Sequence, residues 1–121
     1  MTALIASAAL VGVLSGGDAR WAVRYDVGLM ATVARQRGIA VGPCLFAHPT
    51  LAIGSYAYIR GMRTHHMERC RQVDTSQDSD RARHIRTKRI ELGSMESRRI
   101  CGDTWGGAAV ECAVELWGVI P

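Results

Sequence analysis

The sequence predicts a small, mainly β domain: five or six short strands in a closed or nearly closed barrel, with two small helices inserted. Three observations lead there. Alternation with period two recurs in short runs. It is cleanest over Val110–Val119, where Val110, Cys112, Val114 and Leu116 share one face and Glu111, Glu115 and Trp117 the other. Thirteen glycines against three prolines supply many tight turns. A chain of 121 residues, 48% hydrophobic and 21% charged, can build one core and is too short for two domains.

Residues 1–17 carry no charged side chain, and Ala3–Leu14 is a 12-residue apolar run. That is the length of a signal-peptide core, followed by small residues near Gly17–Ala19, although a basic start is missing. Residues 1–19 are therefore expected to be a signal-like or N-terminal apolar segment, with the barrel domain over 20–121. A buried first strand or helix is the competing reading. No apolar run reaches the roughly 20 residues of a bilayer-spanning helix.

Asp26 can cap a helix over Val27–Arg37 that Gly38 closes, with Val27, Met30 and Val33 forming its apolar stripe. Cys44–His48 reads as a strand stopped by Pro49. Gly54 makes a turn before a strand at Tyr56–Arg60. Met67–Asp74 alternates, with Met67, Arg69, Arg71 and Val73 set against Glu68, Cys70, Gln72 and Asp74. Thr75–His84 is polar and reads as a surface loop of the kind that often carries function. Thr87–Leu92 is a short strand. Ser94 can cap a helix over Met95–Ile100, and GDTWGG is a turn before the last strand. The sequence contains no internal repeat.

Fourteen of the fifteen basic residues are Arg, and the net charge is +4. Eleven of the fifteen lie between Arg60 and Arg99, but six acids share that stretch and dilute any phosphate-binding field. Aromatics make up only 6% and are scattered in sequence, so nucleic acid is not an expected partner. Nucleotide-binding and GxSxG motifs are absent. Cysteines at 44, 70, 101 and 112 permit two disulfides in three connectivities, and lack CxxC spacing. No metal or cofactor is expected: adjacent His residues on a strand would point to opposite faces, so His65 and His66 read as a polar hairpin tip, and Asp78 and Asp80 lack the rest of a calcium loop.

The acids Asp74 and Glu91 are the candidates for proton transfer. Asp74 ends a strand, and Glu91 lies between Ile90 and Leu92, where apolar neighbours raise a carboxyl's pKa. Glu91 could equally pair with Arg89 or Arg83, and Asp74 could cap its turn. Trp21, Tyr25, Trp105 and Trp117 could line a sugar groove or simply pack.

The order of segments CLFAHPTLAIGSYAYIRG, CRQVDTSQDSDRARHIRTKRIELG, a short helix and ECAVELW resembles the double-psi β-barrel of cell-wall proteins. The relatives are the rare lipoprotein A-like and 3D-type lytic transglycosylase domains, with the expansin and barwin barrels more remote. Ala52–Ile59 stands at their Gly-Thr strand element, Gln72–Thr75 at their Val-x-Asp, and Arg89–Leu92 at their Arg-Ile-Asp-Leu. The chain departs from them in three places. Ala47 or His48 stands where the 3D-type domains have an aspartate, Glu91 replaces the second Asp, and the loop after Asp74 lacks a Gly pair.

The resemblance implies a six-stranded double-psi barrel with two short helices, exported or attached to the cell envelope. Its partner would be peptidoglycan or a related polysaccharide. Glu91 or Asp74 would carry proton transfer in a lytic transglycosylase-like cleavage, with Arg83, Arg89 and Trp105 contacting substrate. The alternative is a non-catalytic, expansin-like module that binds a polysaccharide or a protein. The expected disulfides are Cys101–Cys112, closing a short Gly-rich loop, and Cys44–Cys70, tying neighbouring strands.

Overall fold

A computed structural model describes residues 17–25, 27–76, 78–102 and 112–120. Six strands, β1 (Asp18–Tyr25), β2 (Leu45–Ala47), β3 (Tyr56–Gly61), β4 (Met67–Asp74), β5 (Arg89–Gly93) and β6 (Cys112–Ile120), form a closed barrel in the order β1-β5-β2-β4-β3-β6. Pairs β1–β5 and β2–β4 are parallel, and the other four are antiparallel.

Exchanging β1 with β4, β2 with β5 and β3 with β6 leaves this set of pairings unchanged. The two parallel pairs swap, β1–β6 swaps with β4–β3, and β2–β5 and β3–β6 map onto themselves. Backbone detail follows: the Trp21 N–H donates to Lys88 O at 3.0 Å, and its counterpart Arg71 N–H donates to Cys44 O at 3.0 Å. Helix α1 (Val27–Gln36) follows β1 just as α2 (Asp78–Thr87) follows β4. The mixed barrel is thus compatible with a double-psi architecture. The repeat lies in the pairing and not in the amino acids, which is why the sequence does not display it.

Two apolar clusters hold the fold. Ala22, Phe46, Ala57, Ile59, Ile90, Leu92, Val114 and Leu116 fill the barrel, with Ile100 of α3 (Ser94–Cys101) closing an end. Met30 and Ala34 of α1 pack on the barrel's outer surface against Ile39, Leu45, Ala47 and Val73. Spacing of i and i+4 puts Met30 and Ala34 on one helical face. Val33, expected in the apolar stripe, is only partly buried. Gly38, at φ +70°, ends α1 and lets the Ile39 N–H reach Ala34 O at 2.9 Å. Gly61 is needed where β3 meets α3, because a Cβ there would stand 1.9 Å from the Ile100 carbonyl oxygen.

Several expectations need correction. A third helix, α2, occupies most of the segment expected to be a loop at 75–84. Acidic residues at its start and His84 and Arg86 in its last turn suit the helix dipole. Its polarity hides it, since only a narrow inner face is buried. His84 is 4% exposed, and the Arg81 Nε–H donates to Pro49 O at 2.7 Å. Gly93, not Ser94, stands at the N-cap of α3, without a side-chain cap bond. The strand expected from Thr87 begins at Arg89, and Cys44–His48 contracts to Leu45–Ala47. Strand β1 was not expected as such and starts at Asp18, inside the segment assigned to 1–19. The turn at GDTWGG and the cap Asp26 lie outside the described residues, apart from Gly102.

Both disulfides form as expected, Cys44–Cys70 and Cys101–Cys112. They point to an oxidising environment. No described helix is long and apolar enough to cross a membrane.

Candidate functional site

Ala47 at the end of β2 pairs with Asp74 on one side and Glu91 on the other. The two acids therefore flank one small side chain across β4–β2–β5, their backbones two strand spacings or about 10 Å apart. A register shift makes this row. Phe46 pairs with Gln72 but Ala47 pairs with Asp74, so Val73 is the extra residue of a bulge. Strict alternation along β4 would have put Asp74 on the face of the core residues Cys70 and Gln72. The bulge instead sets it on the outer surface, where α1 lies.

Each carboxyl has its own partners. The Tyr25 hydroxyl donates to Asp74 Oδ2 at 2.9 Å, and Arg37 Nη2 stands 3.6 Å from Asp74 Oδ1. The Ser76 hydroxyl donates to Glu91 Oε1, and His84 Nδ1 is 3.7 Å from the same oxygen. The side chains of Asp74 and Glu91 are each 15% exposed, so both acids remain reachable. Burial pushes the Glu91 carboxyl above the ordinary range. The Asp74 and Asp80 charges add to that shift, while the Ser76 hydrogen bond and the Arg83 charge oppose it. Burial, the bond to Asp74, and the charges of Asp74 and Glu91 together raise the Tyr25 phenol, so it stays a donor.

The sequence candidates thus divide. Asp74 and Glu91 come to either side of Ala47, and the Asp74 charge raises the Glu91 pKa. Arg83 lies near enough to lower the Glu91 pKa, with its Nη2 donating to Asp80 Oδ1 at 2.7 Å. Arg89 stands two residues before Glu91 on β5, on the same face. Trp105 lies outside the described residues. Cys44, Cys70, Cys101 and Cys112 are all in disulfides. Among the described residues no group of three His, Cys, Asp or Glu side chains could hold a metal ion.

Four neighbours of the acids went unassigned to them in the sequence: Tyr25, Arg37, Ser76 and His84. Alternation in DARWAVRY, read as a strand, would have put Tyr25 at a strand end like Asp74. The other three needed α1 and α2 to be placed on the barrel. Ser76 adopts φ +73°, a left-handed conformation that costs a residue with a side chain roughly 1–2 kcal/mol. Strain of this kind collects at functional positions.

His48 is structural. Its Nδ1 accepts from the N–H groups of Thr50 and Leu51 at 3.1 and 3.0 Å. Three clefts of about 410, 470 and 330 Å³ are lined by residues other than the two acids.

No protein-family model matches the chain, and no curated protein is significantly similar to it. Its class is therefore defined by architecture: a disulfide-bonded, closed six-stranded mixed barrel with two coupled carboxyls on its outer wall.

Proposed function

We propose that this protein is a secreted or envelope-associated barrel acting on a cell-wall glycan, with lytic transglycosylase-like cleavage of peptidoglycan as its reaction. The observation that carries the proposal is the row Asp74–Ala47–Glu91, in which Asp74 stands beside a carboxyl whose pKa burial has raised. The double-psi-compatible pairing supports the kinship with rare lipoprotein A-like and 3D-type domains, and the two disulfides support export.

In this reading Glu91 is the general acid and gives its proton to the glycosidic oxygen as the bond to the anomeric carbon breaks. The Glu91 carboxylate then takes the proton from the same sugar's own primary hydroxyl, whose oxygen closes on the anomeric carbon. Water is not consumed, and the acid ends protonated as it began. The charge of Asp74 helps keep the Glu91 pKa high and stabilises positive charge at the anomeric carbon. Ser76 and His84 orient Glu91, and Tyr25 and Arg37 fix Asp74. Arg83 and Arg89 are candidate substrate contacts, with Trp105 as a stacking candidate.

A second reading rests on a specific observation: both acids already have hydrogen-bond partners. That arrangement would suit an expansin-like module that binds a glycan without cutting it. Digestion of intact peptidoglycan followed by mass spectrometry separates the two. Anhydro-ended fragments that disappear with Glu91→Gln and fall steeply with Asp74→Asn support the enzyme. Co-sedimentation of the protein with the glycan without soluble fragments overturns the catalytic reading and leaves the binding one.

A further inference from the structure

Strands β3 and β6 lie across the barrel from β5 and β2, facing away from the two acids. Their outward residues, with those of β4, form two rows. Trp117, Tyr58 and Arg69 are direct cross-strand partners in one, and Tyr56 pairs with Arg71 in the next. Tyr58 is 39% exposed, and Arg69 is exposed as well. The guanidinium carbons of Arg69 and Arg71 stand 4.0 and 4.9 Å from the centroid of the Tyr56 ring. On the same face Arg60 is neutralised by Glu115 at 3.1 Å. Arg69 and Arg71 have no carboxylate partner among the described residues.

We infer that this outer face is a docking platform for a linear polysaccharide that carries carboxylates. Flat rings held side by side on a rigid sheet match the apolar faces of successive sugars, at low entropic cost because each ring has only two torsions. Guanidinium forks take carboxylates two hydrogen bonds at a time. Stacking on Tyr56 preorients both, and Arg71, whose Nε–H donates to Gly54 O at 3.2 Å, keeps its terminal nitrogens for a ligand. Two cations with no carboxylate partner among the described residues, set beside an aromatic row, fit a polymer with sparse charge. A nucleic acid carries a phosphate at every step and calls for a longer basic stripe. A neutral glycan would leave both guanidiniums without a counter-charge.

Arg71 and Asp74 stand three residues apart on β4, about 10 Å along the strand. The inference takes its ligand class from the glycan reading above, but it does not depend on cleavage.

The test uses the oxidised full chain with three polymers of similar length: polygalacturonate, a neutral β-glucan and oligo-dT. Affinity electrophoresis or calorimetry is expected to give tightest binding to polygalacturonate, weakening about tenfold or more in Arg69→Gln/Arg71→Gln and in Tyr58→Ala. Salt dependence should be shallow, as for about two ionic contacts. If the double variant loses its native circular dichroism, Arg69→Gln alone serves, because that side chain is exposed. Equal binding of the neutral glucan, tighter binding of oligo-dT, or unchanged affinity in the variants would overturn the inference. If peptidoglycan is still cleaved while polygalacturonate is ignored, the platform alone falls. If polygalacturonate binds while peptidoglycan stays intact, the cleavage alone falls.

Discussion

Ser76 holds its hydroxyl against Glu91 from a left-handed backbone conformation, φ +73°, and that hydrogen bond favours the ionised acid. Ser76→Ala removes the bond and keeps the backbone strain. The Glu91 pKa should then rise further above the ordinary glutamate value, as followed by carboxyl-carbon NMR. A fall would contradict the assignment of that bond. His48 makes the opposite kind of statement. Burial, aided by the Arg20 charge, lowers its pKa from 6.5 to about 4. Unfolded chain binds the proton at higher pH than folded chain does, so stability is complete above pH 6.5 and is lost as pH falls toward about 4. The loss at the acid end should reach up to ~3 kcal/mol, at 1.36 kcal/mol per unit. His48→Asn keeps an acceptor for the turn at Thr50 and Leu51 but does not titrate. Denaturant melts of this variant between pH 4 and 7 should show a flatter profile than those of the wild type.

At the level of elements, Gln72 is the least expected anchor. It is fully buried in β4, takes the His48 N–H on Oε1 at 2.8 Å, and donates from Nε2 to the carbonyls of His48 and Leu51 at 2.6 and 3.1 Å. These bonds tie the chain leaving β2 to the bulge that presents Asp74. Gln72→Leu keeps the volume and strands buried carbonyls, so urea denaturation should show a loss of about 3 kcal/mol. A neutral result would mean that water enters and satisfies them. What was legible in the sequence follows from the same physics. Strands β3, β4 and β6 were readable because their inner residues, such as Ala57, Ile59, Val114 and Leu116, alternate with polar or aromatic outer ones. Helix α2 was not readable, because Arg, Asp and Ser dominate it and burial falls on His84. The bulge at Val73 left no mark, since both neighbouring faces are buried there. Asp74 and Glu91 were both singled out in the sequence, but their partners come from β1 (Tyr25), the residue after α1 (Arg37), the turn after β4 (Ser76) and α2 (His84), and needed the fold.

For the whole molecule, two parallel and four antiparallel strand pairs leave no free edge, and the disulfides add covalent closure at two places. Cys44–Cys70 spans 26 positions and Cys101–Cys112 spans 11. Loop-closure entropy gives about 3.5 and 2.8 kcal/mol respectively. Replacing either pair with Ala should lower stability by amounts of that order in calorimetry, with the Cys44/Cys70 variant the more affected because both residues also lie in the core. Equal stability with and without both bridges would remove the structural case for an oxidising environment. The barrel meanwhile separates two surfaces, one bearing the acids under α1 and α2, the other bearing Tyr58, Trp117 and the stacked arginines.

The coupling of Asp74 and Glu91 across Ala47 is open to direct measurement. Selective carboxyl labelling and NMR titration of the folded, oxidised protein should give Glu91 a pKa above that of an ordinary glutamate, and Asp74→Asn should bring it down by removing a neighbouring negative charge. An ordinary Glu91 pKa in the wild type, or one that Asp74→Asn does not move, would contradict the account.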